Sequence, residues 1–134
     1  MEAQISFITL GVEDLERATR FYEECLQLAR VQSPPFVSFF QVGNIKLALW
    51  SRASLAADAG LPCSRGGFAG FSLSCNVKSE TEVDSLLLDV SLHGGKIVRP
   101  AHHTDWGVYC GYFTDPDGFL WEVAYNAKFR HESL

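Results

Sequence analysis

One stretch near the C-terminal end of the sequence decides the fold: Gly111-Tyr112-Phe113-Thr114-Asp115-Pro116-Asp117-Gly118-Phe119-Leu120-Trp121-Glu122-Val123. The apolar and aromatic residues on its two sides predict strands over 108–114 and 119–125. Between them, Pro116 presets φ and Gly118 tolerates a positive φ, so a tight turn is expected. The stretch therefore predicts an antiparallel hairpin with Glu122 inside its second strand.

Upstream, the first half of the chain predicts a strand, a helix and a second hairpin. Residues 5–10 are rich in strand formers, and Asp14 is a good N-cap because its carboxylate can accept free N–H groups of a first helical turn. Apolar residues then recur at helical steps: Leu15, Ala18, Phe21, Tyr22, Cys25 and Leu26. Two strands are expected within residues 35–50, joined by a two-residue turn at Gly43-Asn44.

The second half repeats that order. Residues 68–77 predict a strand, and the Ser79 to Glu82 spacing matches a capping box, in which the two residues satisfy free N–H groups at a helix start. Gly94 begins a glycine pair that ends the helix. A strand over 96–100 and the closing hairpin follow.

A strand–helix–strands unit is thus present twice in one domain, residues 1–134. The boundaries predicted are module one at about 4–50, a linker at about 51–67 with a short helical piece at 55–59, module two at about 68–126, and a C-terminal tail at 127–134. Val12 aligned with Val77 superposes the helix starts, and Leu47 matches Glu122 if the second copy has a longer loop around residues 102–107.

Composition limits the possible functions. A chain of 134 residues suits one compact domain, at about 100–200 residues each. It has 11 basic and 16 acidic residues, a net charge of −5, which argues against nucleic-acid binding. No apolar run of about 18 residues predicts a membrane span, and no signal peptide is evident. We expect a cytoplasmic protein whose cysteines are free thiols.

Two stretches resemble the vicinal oxygen chelate superfamily, which contains glyoxalase I, bleomycin-resistance proteins and catechol dioxygenases. The closing hairpin quoted above is one. The other is Ile8-Thr9-Leu10-Gly11-Val12-Glu13-Asp14-Leu15-Glu16-Arg17-Ala18-Thr19-Arg20-Phe21-Tyr22. The resemblance implies an α+β fold in which two βαβββ modules form curved mixed sheets around a cavity. It also implies a homodimer, as in many members.

The resemblance implies metal ligands on four strands, and these positions carry over to Phe7, Leu47 (or Ala48 after a one-residue slip), Ser72 and Glu122. Only Glu122 is a residue type that binds metals well. We therefore expect the usual metal centre to be lost, with no cofactor. The alternative is a divalent Zn, Ni, Fe or Mn ion held by Glu122 with His102 or His103.

Glu122 is expected to point into the cavity, since the larger apolar side chains of its strand should pack on the helix. It would be a general base or an anchor for a ligand, or an inherited carboxylate tied by structural hydrogen bonds to Ser72 or Thr9. A second polar cluster is His102-His103-Thr104-Asp105-Trp106, and alternation along a strand allows at most one of its two histidines to face the cavity. The cluster is expected to supply a base or a displaced metal site, or to be a solvated loop whose Trp106 packs against the sheet. The predicted ligand-binding residues are Phe7, Thr9, Leu47, Leu49, Ser72, Ser74, Trp106 and Glu122.

The leading functional hypothesis is a metal-independent protein that binds a small organic ligand in an aromatic-lined cavity. It is similar in kind to the bleomycin-resistance branch, whose ligands are bulky and often cationic. The second hypothesis is a glyoxalase-like lyase or isomerase with Glu122 as its base. A third is a domain whose dimer surface matters and whose cavity is vestigial.

Overall fold

The computed structural model describes residues 3–64 and 66–127, so most of the predicted tail lies outside the described residues. The chain divides into two compact units, Met1–Gly66 and Gly67–Leu134. None of the helices in the described ranges has the length and apolar character needed to span a bilayer.

The first unit holds one four-stranded sheet and two helices. Its elements are β1 (Phe7–Val12), α1 (Leu15–Arg20, continuing as a π-helical turn over Phe21–Cys25), β2 (Ala29–Val31), β3 (Val37–Val42), β4 (Ile45–Ser51) and α2 (Arg52–Ala59). The strand order is β1-β4-β3-β2. β1 runs parallel to β4, and the other neighbours are antiparallel.

Local sequence signals set these elements. The Asp14 carboxylate accepts a hydrogen bond from the Arg17 N–H at 3.0 Å, as expected of an N-cap. Val42 pairs with Ile45 across the two-residue turn, where Gly43 has a φ of 57°. The predicted helix start and hairpin are therefore confirmed.

The core of the first unit lies between its sheet and α1. Buried apolar side chains come from β1, α1, β3 and β4: Leu10, Val12, Ala18, Phe21, Tyr22, Phe40, Leu47 and Leu49. One polar contact is buried with them, because the Thr19 and Ser38 hydroxyl oxygens lie 2.7 Å apart. On the opposite face of this sheet α2 packs beside Gly11, where a Cβ would lie 3.1 Å from the Arg52 Cα.

The second unit has the same order of elements. These are β5 (Leu73–Asn76), α3 (Glu80–Leu92), β6 (Lys96–His103), β7 (Val108–Thr114) and β8 (Leu120–Asn126). The strand order is β5-β8-β7-β6, with β5 parallel to β8. With β2 counted in the first unit, both units are βαβββ modules, and the predicted α+β fold class is confirmed.

The caps of the second unit also follow the sequence. Ser79 Oγ accepts from the Glu82 N–H at 3.1 Å, whereas the Glu82 carboxylate accepts from the Lys78 N–H at 3.2 Å rather than from Ser79. The buried Asp115 carboxylate accepts from the Asp117 and Phe119 N–H groups at 2.9 and 2.8 Å. These two hydrogen bonds stabilise the turn between β7 and β8.

Four elements differ from the sequence predictions, and one of them is α2, which begins at Arg52 rather than at residue 55. Strand β2 was not predicted, because three residues are too few for a recognisable alternation. Residues 68–72 are not part of β5, and Gly70 has a φ of 91° there. Strand β6 continues beyond Pro100 to His103, which is possible because β6 is an edge strand and proline there leaves no partner unpaired.

Candidate functional site

The open face of the first sheet, away from α1, carries an aromatic pocket. The β1–β4 register places Phe7 beside Lys46 and Thr9 beside Ala48, and alternation puts these four side chains on one face. The cavity has a volume of about 300 Å³, and its lining residues all belong to the first unit: Phe7, Thr9, Pro34, Phe36, Val37, Phe39, Ala48 and Trp50. We call this cavity the aromatic pocket.

Aromatic rings dominate the chemistry of the aromatic pocket. The Phe7 and Phe39 rings meet edge to face with centroids 5.4 Å apart, an arrangement that rings favour because of their quadrupoles. The Lys46 ammonium lies 5.8 Å from the Phe7 centroid. A charge is therefore held next to an otherwise apolar lining.

Leu47 and Leu49 do not line this pocket. They pair with Phe40 and Ser38 across β3–β4. The Phe40 ring packs against Tyr22, which follows α1, and Ser38 bonds to Thr19 of α1. Both leucines are buried on this side. The prediction that Leu47 and Leu49 face the cavity is therefore wrong. Ala48, the position predicted for a one-residue shift of the alignment, is the residue that lines the pocket. The β4 sequence is apolar on both faces, so its periodicity could not decide the register.

In the second unit, Glu122 lies on the sheet face away from α3. Its neighbours Trp121 and Val123 are buried on the helix side, as predicted. Glu122 is half-buried and pairs with Ser74 of β5 and Tyr112 of β7. The Ser74 hydroxyl donates to Glu122 Oε1 at 3.1 Å. Ser74 takes the place expected for Ser72, which is exposed and precedes β5.

The charge of Glu122 perturbs three neighbouring groups. Burial, followed by the Glu122 charge, raises the pKa of the Cys75 thiol from 9.0 to about 11. Burial also leads the upward shift in the pKa of Cys110, with Glu122 second. For Tyr112 the order is reversed, since the negative charge of Glu122 is the main cause of its raised pKa. All three groups therefore stay protonated near neutral pH.

The adjacent histidines face opposite sides, as the alternation argument requires. His102 pairs with Cys110, and its Nε2 lies 4.0 Å from the Cys110 Sγ. His102 Nδ1 lies 2.9 Å from the Pro100 carbonyl oxygen. A carbonyl only accepts, so His102 Nδ1 donates this hydrogen bond.

His103 lies on the α3 side of the sheet. Its Nε2 is 3.3 Å from a Glu80 carboxylate oxygen, and its ring centroid is 4.6 Å from that of Tyr109. The Tyr109 hydroxyl in turn donates to Asp84 Oδ1 at 2.6 Å. Because Glu80 and Asp84 belong to α3, His103 cannot share a metal ion with Glu122.

Trp106 belongs to the turn between β6 and β7, where 72% of its surface is exposed. The structural interpretation in which this ring packs on the sheet is therefore wrong. The predicted ligand residues thus separate into an aromatic set in the first unit, the Ser74–Glu122 pair in the second, and an exposed turn.

The residues present do not fit the superfamily's usual metal centre. In the first module Phe7 and Ala48 offer no donor atom, and Thr9 offers one hydroxyl. In the second, Ser74 and Glu122 supply one hydroxyl and one carboxylate, a poor set for a transition metal. Within residues 3–64 and 66–127, no three His, Cys, Asp or Glu side chains are grouped so as to hold a metal ion.

Comparison with known proteins identifies the family. The model of the Glyoxalase/Bleomycin resistance protein/Dioxygenase superfamily matches residues 4–123. The chain belongs to this superfamily. It is similar to a glyoxalase-related enzyme from Fulvimarina pelagi, with 38% identity, a TM-score of 0.85, and coverage of 92% of this chain and 88% of the other.

Two further solved structures, with lower identity, share the fold with this chain. A lactoylglutathione lyase from Agrobacterium tumefaciens is 24% identical with a TM-score of 0.69, covering 98% of both chains. A fosfomycin resistance protein from Listeria monocytogenes is 22% identical with a TM-score of 0.73, covering 97% of this chain and 99% of that one. No curated protein matches the sequence.

Proposed function

We propose that this superfamily member binds a small organic molecule in the aromatic pocket of its first module, without the usual metal centre. The observation that carries the proposal is the cavity of about 300 Å³ lined by four aromatic rings. Small-molecule sites are typically concave and mainly apolar, with a few polar groups, and occupy about 300–1,000 Å³. Thr9 and the Trp50 indole supply the polar side-chain atoms of this lining.

Titration calorimetry with 2-naphthamide, a neutral planar probe, tests the pocket. We expect Phe39→Ala to weaken binding about tenfold, since it removes one ring of the lining. Phe68→Ala is the matched control, because Phe68 is an exposed aromatic residue of the second unit. Thr9→Phe, at an exposed lining position, fills the pocket without opening the core and should also block binding.

Equal affinity of the wild type, Phe39→Ala and Thr9→Phe would overturn the proposal, as would the absence of probe binding. If no probe binds and the protein is a stable dimer, the third hypothesis replaces the proposal: the cavity is vestigial and the dimer surface carries the function. Circular dichroism of each variant shows that the fold is retained.

The metal-free part of the proposal is supported by the donor-poor positions Phe7 and Ala48. Elemental analysis of protein purified without chelators tests it. We expect far less than one Zn, Ni, Fe or Mn per chain. A stoichiometric ion of any of these metals would contradict the proposal.

A second candidate function is a glyoxalase-like lyase or isomerase with Glu122 as general base. It is favoured by the grouping of Ser74, Cys110 and Tyr112 around that carboxylate. The carboxylate would accept a proton from a carbon next to a carbonyl group, and Ser74 would orient it. The Tyr112 hydroxyl, whose raised pKa keeps it protonated, would donate a hydrogen bond to the oxygen that gains charge.

Turnover of the hemithioacetal of methylglyoxal and glutathione tests this candidate. Glu122→Gln should lower the rate by a factor of about 10²–10⁴ if the carboxylate moves a proton. Glu24→Gln, at an exposed site in the first unit, makes the same chemical change and should leave the rate unaltered. If wild-type protein shows no turnover, this candidate fails.

A homodimer and a cytoplasmic location belong to the same proposal. The superfamily resemblance supports the dimer, and the composition supports the location. Light scattering on the eluting protein should give twice the mass of one chain. A monomer mass would contradict the dimer.

A further inference from the structure

We infer that the aromatic pocket selects planar aromatic ligands that carry a negative charge, and that Lys46 is the residue that recognises the charge. This inference rests on the proposed function, because it names the ligand class for the same pocket. Nothing in the pocket itself requires a metal ion for this recognition.

Lys46 lies at the edge of the aromatic pocket. It pairs with Phe7 across the parallel β1–β4 ladder, and its ammonium lies 5.8 Å from the Phe7 centroid. Alternation along β4 places Lys46 on the same face as Ala48 and Trp50, which line the pocket. Contact with the Phe7 ring holds the flexible side chain near the pocket edge.

The positive charge of Lys46 is available to a ligand. Within residues 3–64 and 66–127, the ion pairs that involve Arg20, Arg30 and His103 do not include Lys46. Gln41, its partner on β3, directs its amide N–H groups to the Gly43 and Ile45 carbonyl groups. The ammonium is therefore not neutralised by a carboxylate of the described chain and can meet an anion.

The lining of the aromatic pocket suits a flat ring that carries a negative charge. It contains four aromatic rings and no acidic side chain, so no carboxylate of the lining would pair with a cationic ligand. The edge-to-face corner of Phe7 and Phe39 presents ring surfaces against which a further flat ring can pack. A volume of about 300 Å³ suits one ring or two fused rings. A planar aromatic carboxylate meets all these conditions, in contrast to the bulky cation expected from the family resemblance.

Calorimetry at low ionic strength with two near-isosteric probes tests the inference. Wild-type protein should bind 2-naphthoate roughly threefold to tenfold more tightly than 2-naphthamide, as a partly exposed ion pair allows. Lys46→Met keeps the length of the side chain and should bring the ratio of the two affinities to about one. Lys78→Met, the same change at an exposed site of the second unit, should leave the ratio as in the wild type.

The outcomes separate this inference from the proposed function. Pocket-dependent binding of both probes with equal affinity would overturn the charge preference and leave the proposed function standing. Tighter binding of 2-naphthylmethylamine than of 2-naphthoate would overturn it as well. If neither probe binds the wild type, both proposals fall. Lys46→Arg keeps the charge and should restore the preference for 2-naphthoate, which a merely structural role of Lys46 would not explain.

Discussion

The hydroxyl groups of Thr19 and Ser38 connect α1 to β3 inside the first module. Thr19 Oγ1 donates to the Leu15 carbonyl at 2.6 Å, so it accepts from Ser38, 2.7 Å away. Thr19→Val should lower the free energy of unfolding by about 1–3 kcal/mol, since it leaves the buried Ser38 hydroxyl without an acceptor. Ser38→Ala leaves Thr19 satisfied and should cost only about 1 kcal/mol.

Urea unfolding of the two single variants and of the double variant measures this difference. We expect the double variant to be more stable than Thr19→Val alone, because no hydroxyl remains unpaired. An order of stability in which Ser38→Ala is the least stable protein would contradict the assigned direction of the hydrogen bond.

The Cys75 thiol makes stability depend on alkaline pH. Its pKa is raised from 9.0 to about 11, first by burial and then by Glu122. Above pH 9 the thiol of the unfolded chain ionises while the folded thiol stays neutral. Its contribution to stability is therefore complete below pH 9 and is lost as the pH rises towards 11. Wild-type protein should lose more stability over this interval than Cys75→Ala.

The control for this prediction is Cys63→Ala, because Cys63 is a free and exposed cysteine. Its unfolding free energy should follow the wild-type pH profile. Parallel profiles of the wild type and Cys75→Ala, measured by urea unfolding at each pH, would show that the thiol is not shielded.

Individual residues were predictable where one side chain performs a local task. Asp14 and Ser79 cap helices because their oxygens reach N–H groups three residues ahead, which is visible in the sequence. The orientation of Leu47 was not predictable, since it depends on the pairing of β4 with β1 and β3. The partner of Glu122, Ser74, likewise depends on the β5–β8 register.

At the level of elements, Gly111 marks the closest approach in the second module. A Cβ there would lie 2.8 Å from Leu87 Cδ1 of α3, 3.1 Å from the Arg99 oxygen and 3.2 Å from the Ala101 nitrogen of β6. Gly111→Ala should therefore destabilise the protein by about 1–3 kcal/mol through overpacking. Thermal and urea unfolding measure this loss.

A double-variant cycle with Leu87→Ala tests the cause. Removing the leucine side chain relieves the shortest contact, so Gly111→Ala should cost less in that background than in the wild type. Some cost should remain, because the β6 backbone contacts persist. Strictly additive losses would show that α3 and β7 do not meet at this glycine.

Elements with strong periodicity or clear turn residues were predictable, and those governed by pairing were not. The β3–β4 and β7–β8 hairpins follow from Gly43 and from the turn around Pro116. Strand β2 is held by its partner β3 rather than by its own pattern. The extension of β6 past Pro100 depends on its place at the sheet edge, where a missing N–H group is tolerated.

Across the whole molecule, the two modules share an architecture and differ in the chemistry of their open faces. When Val12 is aligned with Val77, Thr9 corresponds to Ser74. Their partners on the neighbouring parallel strands, Ala48 and Glu122, then correspond to each other as well. The position that carries a carboxylate in the second module thus carries a methyl group in the first. This substitution leaves room for an aromatic pocket in one module and keeps a polar cluster in the other.

The repeated architecture and the position of Glu122 were predictable from the sequence, because alternation and turn spacing fix them. The aromatic pocket was predictable only in part. Phe7 and Thr9 were expected to line a cavity, whereas Pro34 reaches it from the segment between β2 and β3. No periodic pattern reports how such a segment folds over a sheet.

The central claim is that the aromatic pocket of the first module is the ligand site. The most direct test is an isotope-filtered nuclear Overhauser experiment between unlabelled 2-naphthamide and the labelled protein. We predict contacts from the bound probe to the Phe39 and Trp50 rings and to the Ala48 methyl group. Contacts confined to Cys110 and Tyr112, or no contacts at all, would contradict the account.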